Sequence, residues 1–143
     1  MPRFRLKIKT EPCEAVEATL YEFSLYYGRK RLGKMVLEVN RYNIYVGDLH
    51  IFKIHRGRGY GSLMLNFAKV ISEMTNKPIF LYAINDTEEF YRKNGFIPIS
   101  EIQDRIIVVN SDPSRPPIVW ESGDMIWLPS SLKKGRSRIS IIV

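Results

Sequence analysis

Arg56-Gly57-Arg58-Gly59-Tyr60-Gly61 is the stretch on which the fold turns. An apolar run from Ile44 to Ile54 precedes it, and an amphipathic pattern from Tyr60 to Met74 follows. A glycine-rich turn between a strand and a helix presents a row of backbone N–H groups. Its glycines let the main chain approach an anion without a Cβ in the way, and the helix dipole favours negative charge at that end. With Arg56 and Arg58 beside it, the turn reads as a pyrophosphate cradle, so a phosphorylated cofactor is expected.

Upstream, Phe4, Leu6 and Ile8 alternate with Arg5, Lys7 and Lys9, the pattern of a half-buried strand. Thr10 to Leu20 reads equally as a short helix or as more strand. Tyr21 to Tyr27 and Lys34 to Val39 are strands joined at Gly28-Arg29-Lys30-Arg31-Leu32-Gly33, which makes a hairpin. Gly47, inside the Ile44–Ile54 run, marks a bulge or a close backbone approach. In the helix from Tyr60, Leu63, Phe67, Val70, Ile71 and Met74 form the apolar stripe, and Asn76-Lys77-Pro78 ends it.

Downstream, Ile79 to Ile84 reads as a buried strand. Asn85-Asp86-Thr87 then caps a short helix that stops at Asn94-Gly95. Strands are expected near Arg105 to Val109 and Asp124 to Leu128, on either side of a Pro-rich loop at residues 112–117, with an edge strand at Ile139 to Val143. Strands, then strand–helix–strand–helix, then strands again predict an α/β (α+β) mix. Its sheet is mostly antiparallel with one parallel crossover.

The length of 143 residues fits one domain, and 45% hydrophobic residues can supply a core. No run of 18 apolar residues predicts a membrane span, and Met1-Pro2-Arg3-Phe4-Arg5 does not read as a signal peptide. The single cysteine, Cys13, cannot form an internal disulfide and lacks a nucleophile signature, so the expected location is cytoplasmic. A net charge of +7 attracts anions, with local clusters at Arg29, Lys30 and Arg31 and at Lys133, Lys134, Arg136 and Arg138.

Other phosphate motifs fit poorly. The dinucleotide fingerprint places Ser62 where its third glycine belongs, and no Gly-Lys-Ser/Thr ending completes a Walker loop. Instead Arg56, Gly59 and Gly61 match Arg/Gln-x-x-Gly-x-Gly/Ala, and Phe90-Tyr91-Arg92-Lys93-Asn94-Gly95-Phe96 matches Phe-Tyr-x-x-x-Gly-Phe, one helix and one strand later. In these two motifs the chain resembles the GNAT superfamily of acyl-CoA N-acyltransferases, over roughly Ile44 to Phe96.

The resemblance implies a single GNAT-like domain, with a bulged strand splayed from its parallel neighbour and helices flanking the sheet. It implies an N-acetyltransferase that uses acetyl-CoA as co-substrate and no metal. The amine attacks the thioester directly, through a tetrahedral intermediate. The loop of Arg56, Gly57, Arg58, Gly59, Tyr60 and Gly61 would hold the coenzyme A diphosphate. Main-chain groups of Ile51, Phe52 and Lys53 would bond the pantetheine arm, with an N–H near Phe52 polarising the thioester carbonyl. Asn85 would brace the pantetheine or the tyrosine helix, and Phe90 belongs to the same motif. Tyr91 is the candidate general acid, a phenol of basicity comparable to the departing thiolate. Asp48 and His50 share one strand face, because Leu49 points the other way, and either is a candidate base.

Three departures matter. Thr10 to Leu20 leaves room for one short helix where the family places two, so the acceptor face is open. Asn85 and Phe90 stand one residue closer than is commonest. Residues 97–121 form an insertion that would cover the acceptor site or mediate a homodimer. The acceptor is a small amine or a protein or peptide amine, with aminoacyl-tRNA a further candidate. Two other readings compete: a non-catalytic acyl-CoA-binding regulator, and a nucleic-acid-binding module using Arg56, Arg58, Tyr60 and the C-terminal basic cluster.

Overall fold

Alternating side chains dominate the first forty residues, and the chain answers with three long antiparallel strands. The computed structural model describes residues 2–14, 17–102, 106–109, 123–133 and 139–142. β1 (Phe4–Cys13), β2 (Ala18–Tyr27) and β3 (Lys30–Val39) are followed by β4 (Ile44–Ile51) and, after a 3-10 turn at Lys53–His55, by α1 (Tyr60–Thr75). Then come β5 (Ile79–Leu81), α2 (Glu88–Lys93), β6 (Ile97–Pro98), α3 (Ile99–Ile102), β7 (Ile106–Val109), β8 (Met125–Trp127), α4 (Ser130–Lys133) and β9 (Ile139–Ile142).

Seven strands form one sheet in the order β1-β2-β3-β4-β5-β8-β6, antiparallel except where β4 meets β5. The expected α+β class and the single parallel crossover are thus present. β7 and β9 pair parallel in a separate two-stranded sheet, so the Ile139 strand does not edge the main one. The Pro-rich loop at 112–117 lies outside the described residues, as does most of the insertion at 97–121.

Strand alternation sorts the core onto two faces. Phe23, Leu25, Met35, Leu37, Ile44 and Val46 meet Met64, Leu65 and Ala68 of α1, while Phe80 and Ile126 point the other way into a cluster with Ile99, Ile102 and Leu128. The α1 stripe is rotated from the expected one. Val70 and Met74 are exposed, and Met64, Leu65, Ala68 and Ser72 are buried. The buried face runs through large Met64 and Leu65 and small Ala68 and Ser72, with Leu63, Phe67 and Ile71 packed at its border. The Ser72 hydroxyl donates to the Lys77 carbonyl, which satisfies it in place.

Thr10 to Leu20 resolves as strand from both directions, with Glu17 N–H donating to Glu14 carbonyl in the turn. No helix stands between β1 and β2 among the described residues. β1 is more exposed than its alternation implied, with Phe4 at 54% and Ile8 at 50%, because it is the sheet's edge. The hairpin turn is tighter than expected. Tyr27 pairs with Lys30, and the remaining irregularity is a bulge near Leu32 inside β3. Gly47 sits at the predicted bulge, for Val36 pairs with Asp48 while Leu37 pairs with Val46.

Candidate active site

Two parallel strands that part company make the gap. β4 and β5 pair only at Ile44–Ile79 and Tyr45–Phe80. β4 then passes its bulge and ends at Ile51, three residues short of the expected Ile54. The chain then closes a turn, in which His55 N–H donates to Phe52 carbonyl and Arg56 N–H to Lys53 carbonyl. Ile54 is left exposed.

The expectation for Phe52 needs correction. Its N–H donates to the Leu32 carbonyl at 2.9 Å, so that amide is committed to β3 and is not the donor for a ligand. Backbone groups alternate sides along an antiparallel strand. Ile51, one residue earlier, therefore turns its N–H and C=O toward the gap. Its carbonyl accepts Arg56 Nε at 2.9 Å, from the side away from β3. Lys53 lies in the turn, with its carbonyl taken by Arg56.

Above the gap stands the glycine loop. Gly57 and Gly59 have φ of 79° and 83°, the left-handed region that glycine enters without strain, and Gly59 is the N-cap of α1. A Cβ at either position would meet nothing within 4 Å. Leu63 N–H makes the first helical bond, to Gly59 carbonyl. Among the described residues, none accepts a hydrogen bond from the backbone N–H groups of residues 57–62. Arg58 projects into solvent, and Tyr60 packs edge-on to Phe4, with ring centroids 5.8 Å apart. Gly61 has a different reason to be glycine: a Cβ there would lie 2.9 Å from Phe90 Cζ. The two sequence motifs therefore touch.

Phe90 and Tyr91 sit on α2, whose end fixes them. Phe96 N–H donates to Tyr91 carbonyl and Gly95 N–H to Arg92 carbonyl, with Gly95 at φ 87°, which is a Schellman ending. The Tyr91 and Phe96 rings meet 5.7 Å apart, the apolar contact that accompanies such an ending. The start of α2 is not capped as expected. Thr87 is the N-cap and makes no side-chain cap bond, since its hydroxyl turns back to Ile84 carbonyl. Asn85 and Asp86 instead take positive φ values of 53° and 60° in the exposed turn before it. β5 likewise stops at Leu81 rather than Ile84, because Asp124 Oδ1 captures the Ala83 N–H.

Tyr91 is 8% exposed. Burial, and then the Asp48 charge, push its phenol above the usual tyrosine value, so it holds its proton firmly. Asp48, just past the bulge, pairs with Lys34 at 3.3 Å. His50 lies on the same face and packs edge-on to Phe52, with ring centroids 5.4 Å apart. Asp48 thus lies near enough to Tyr91 for its charge to be felt there, and His50 stands two residues further along β4. Sequence reasoning missed Lys34 as the partner of Asp48. It also missed Gly33, whose placing in the turn hid its pairing with Ile51. A lone glycine in an alternating run was the available signal.

No protein-family model matches the chain. It is 30% identical over 109 residues to an uncharacterized N-acetyltransferase of Shouchella clausii, and the match covers 68% of this chain and 60% of that protein. To an uncharacterized N-acetyltransferase of Halalkalibacterium halodurans it is 28% identical over 109 residues, covering 68% and 59%. The chain thus spans about three fifths of the length of these relatives. Among solved structures, nourseothricin acetyltransferase superposes with a TM-score of 0.52 at 16% identity, covering 68% of this chain and 84% of that one. A Bacillus anthracis protein described as a candidate streptothricin acetyltransferase, in complex with acetyl coenzyme A, gives 0.50 at 15% identity, covering 87% and 84%. At such identities the likeness is one of fold.

Proposed function

We propose that this chain, which belongs to the GNAT superfamily of acyl-CoA N-acyltransferases, transfers an acetyl group from acetyl-CoA to an amine. One observation carries the reading. The N–H row of residues 57–62, with no acceptor among the described residues, stands at the start of α1, and through the Gly61–Phe90 contact it is coupled to a buried phenol that senses Asp48. Free amides, open space over Gly57 and Gly59, and a dipole of suitable sign fit a diphosphate. The edge groups of Ile51 fit an extended amide-bearing arm.

When bound, acetyl-CoA supplies a thioester carbonyl carbon open to attack by an amine. This chain's residues then have separate tasks. The loop amides and Arg58 hold the diphosphate. Arg56 releases or shares the Ile51 carbonyl, and the Ile51 N–H serves as the polarising donor in place of Phe52. Asp48, held by Lys34 at 3.3 Å, takes the proton of the incoming ammonium. Tyr91 holds a proton at its Oη for the departing sulfur. Asn85, in the turn before α2, braces the pantetheine arm or the tyrosine helix. His50 orders the floor beside Phe52.

The test has two arms. Millimolar coenzyme A at fixed salt should raise the melting temperature. Tyr91→Phe should lower kcat by roughly a hundredfold, within the range for general acids, with coenzyme A affinity unchanged. A shift produced only by an oligonucleotide would support the nucleic-acid reading. Coenzyme A binding without acetyl transfer to any amine would support the non-catalytic regulator.

A further inference from the structure

The sheet face that carries Asp48 also carries an aromatic and acidic corner. Glu38 and Tyr45 are direct cross-strand partners of β3 and β4. The Tyr45 ring meets Tyr82 edge-on, centroids 6.2 Å apart at 78°. Tyr45 belongs to the last pair before β4 and β5 separate, so the corner stands at the apex of the gap. Val36, opposite Asp48, and Glu38, opposite Tyr45, are two residues apart on β3 and share a face. That places the corner about 7 Å from Asp48 along the strand.

Carboxylates on this face are otherwise matched. Glu22 pairs with Arg31 at 3.5 Å and Asp48 with Lys34 at 3.3 Å. Among the described residues Glu38 has no ion pair, and it is half-buried. Its charge is felt next door: burial first, then Tyr82 and Glu38, raise the Tyr45 phenol. A carboxylate with no ion pair among the described residues, set beside a tyrosine ring that itself meets a second, is complementary to a cation.

We propose that Glu38, Tyr45 and Tyr82 bind a second ammonium group of the acceptor, so that the substrate is a short alkyl diamine or polyamine. Its reacting amine lies at Asp48 and its distal ammonium at the corner. The proposal rests on the acyltransferase reading for which amine reacts, but the corner itself does not. It reverses what the net charge of +7 favours, an anionic acceptor, because the local field at the apex has the opposite sign.

Calorimetry with putrescine, n-butylamine and γ-aminobutyrate at fixed salt tests it. Putrescine should bind roughly fivefold or more tighter than n-butylamine, the combined scale of an exposed ion pair and a cation–π contact, and γ-aminobutyrate most weakly. Glu38→Gln should reduce that preference to the cation–π part and leave n-butylamine affinity unchanged. Tyr82→Leu, at an exposed ring, should weaken putrescine in the same direction should Glu38→Gln lower the melting temperature. Equal binding of putrescine and n-butylamine, no putrescine binding, or an unchanged preference in both variants overturns the corner. Coenzyme A stabilisation is scored separately. Discriminating putrescine binding without it sinks the acyltransferase reading and spares the corner. Coenzyme A binding without putrescine binding does the reverse.

Discussion

Gly33→Ala is the sharpest test of how β3 holds the reactive edge of β4. Gly33 pairs with Ile51, and a Cβ on it would lie 2.5 Å from the His50 carbonyl oxygen and 3.1 Å from Ile51 Cα. Ordinary contact begins near 3.4 Å, so relief needs a displacement of about 3.4 − 2.5 = 0.9 Å. The Ile51 Cδ1, 2.6 Å away, can swing aside, but the His50 carbonyl and Ile51 Cα are backbone, so the two strands must still part. Overpacking of this kind costs about 1–3 kcal/mol. Losing the neighbouring Phe52–Leu32 hydrogen bond adds about 1 kcal/mol. The expected loss is therefore about 2–4 kcal/mol, or roughly 6–12 °C in melting temperature at about 3 °C per kcal/mol for a chain of this size. Urea unfolding and thermal melts measure it. Gly57→Ala is the control: its site is open, so only the left-handed φ of 79° resists, at about 1–2 kcal/mol. Coenzyme A affinity should fall with Gly33→Ala, because Ile51 moves. Alanine suits a strand better than glycine does. A variant within about 0.5 kcal/mol of the parent, or more stable, therefore refutes the close approach of the two strands.

Other expectations follow from the same contacts. Gly59→Asp puts a carboxylate before the loop amides and strains a φ of 83°, so calorimetry should show coenzyme A affinity weakened by at least about a hundredfold; unchanged affinity rejects the cradle. Gly59→Ala, strained but uncharged, should lose much less. Tyr91 titrates above its unfolded value, so the stability it contributes is full below pH 10 and is lost as pH rises through the folded value. Tyr91→Phe should flatten the alkaline fall of unfolding free energy, and an identical slope in both proteins contradicts it. Asp48→Asn removes one of the two causes of that shift, so phenolate absorbance should show Tyr91 ionising at lower pH than in the parent. Gly61→Leu should drive Phe90 from its seat and lower kcat and stability together, whereas wild-type kcat in a folded variant denies the coupling.

Much of the fold could be read because local signals agreed with the global arrangement. The alternation in β1 to β3, Gly47 as a bulge and Asn94-Gly95 as a helix stop are decided by neighbours a few residues apart. What escaped depends on partners distant in sequence. The α1 face that is buried, Met64, Leu65, Ala68 and Ser72, is chosen by the sheet it packs on, and the apolar spacing alone admits a neighbouring stripe. The end of β5 is set by a carboxylate forty-one residues after Ala83, at Asp124. The same holds in the site. Which amide faces the gap follows from the β3 register, and that register includes a bulge near Leu32 that composition cannot reveal. Phe52 was therefore the wrong neighbour of Ile51 by one residue, and one residue reverses a strand's hydrogen-bonding side.

The spacing Phe-Tyr-x-x-x-Gly-Phe has a structural cause that explains why loop and phenol occur together. Six residues are what a Schellman ending needs to bring its last ring back over its third-from-last helical residue, and here that closes Phe96 onto Tyr91. Gly95 must be glycine for two reasons, a φ of 87° and the Trp127 Nε1 lying 3.3 Å from where a Cβ would be. With α2 locked at that end, Phe90 has one direction left to point, toward the first turn of α1. There Gly61 is bare. The ring thereby fixes the distance between the loop amides and the phenol through two side-chain contacts and no flexible linker. A helix of six residues has little stability of its own. Its position is borrowed from the glycine loop on one side and from Trp127 on the other. A mutation in either place is thus transmitted to Tyr91 without touching it.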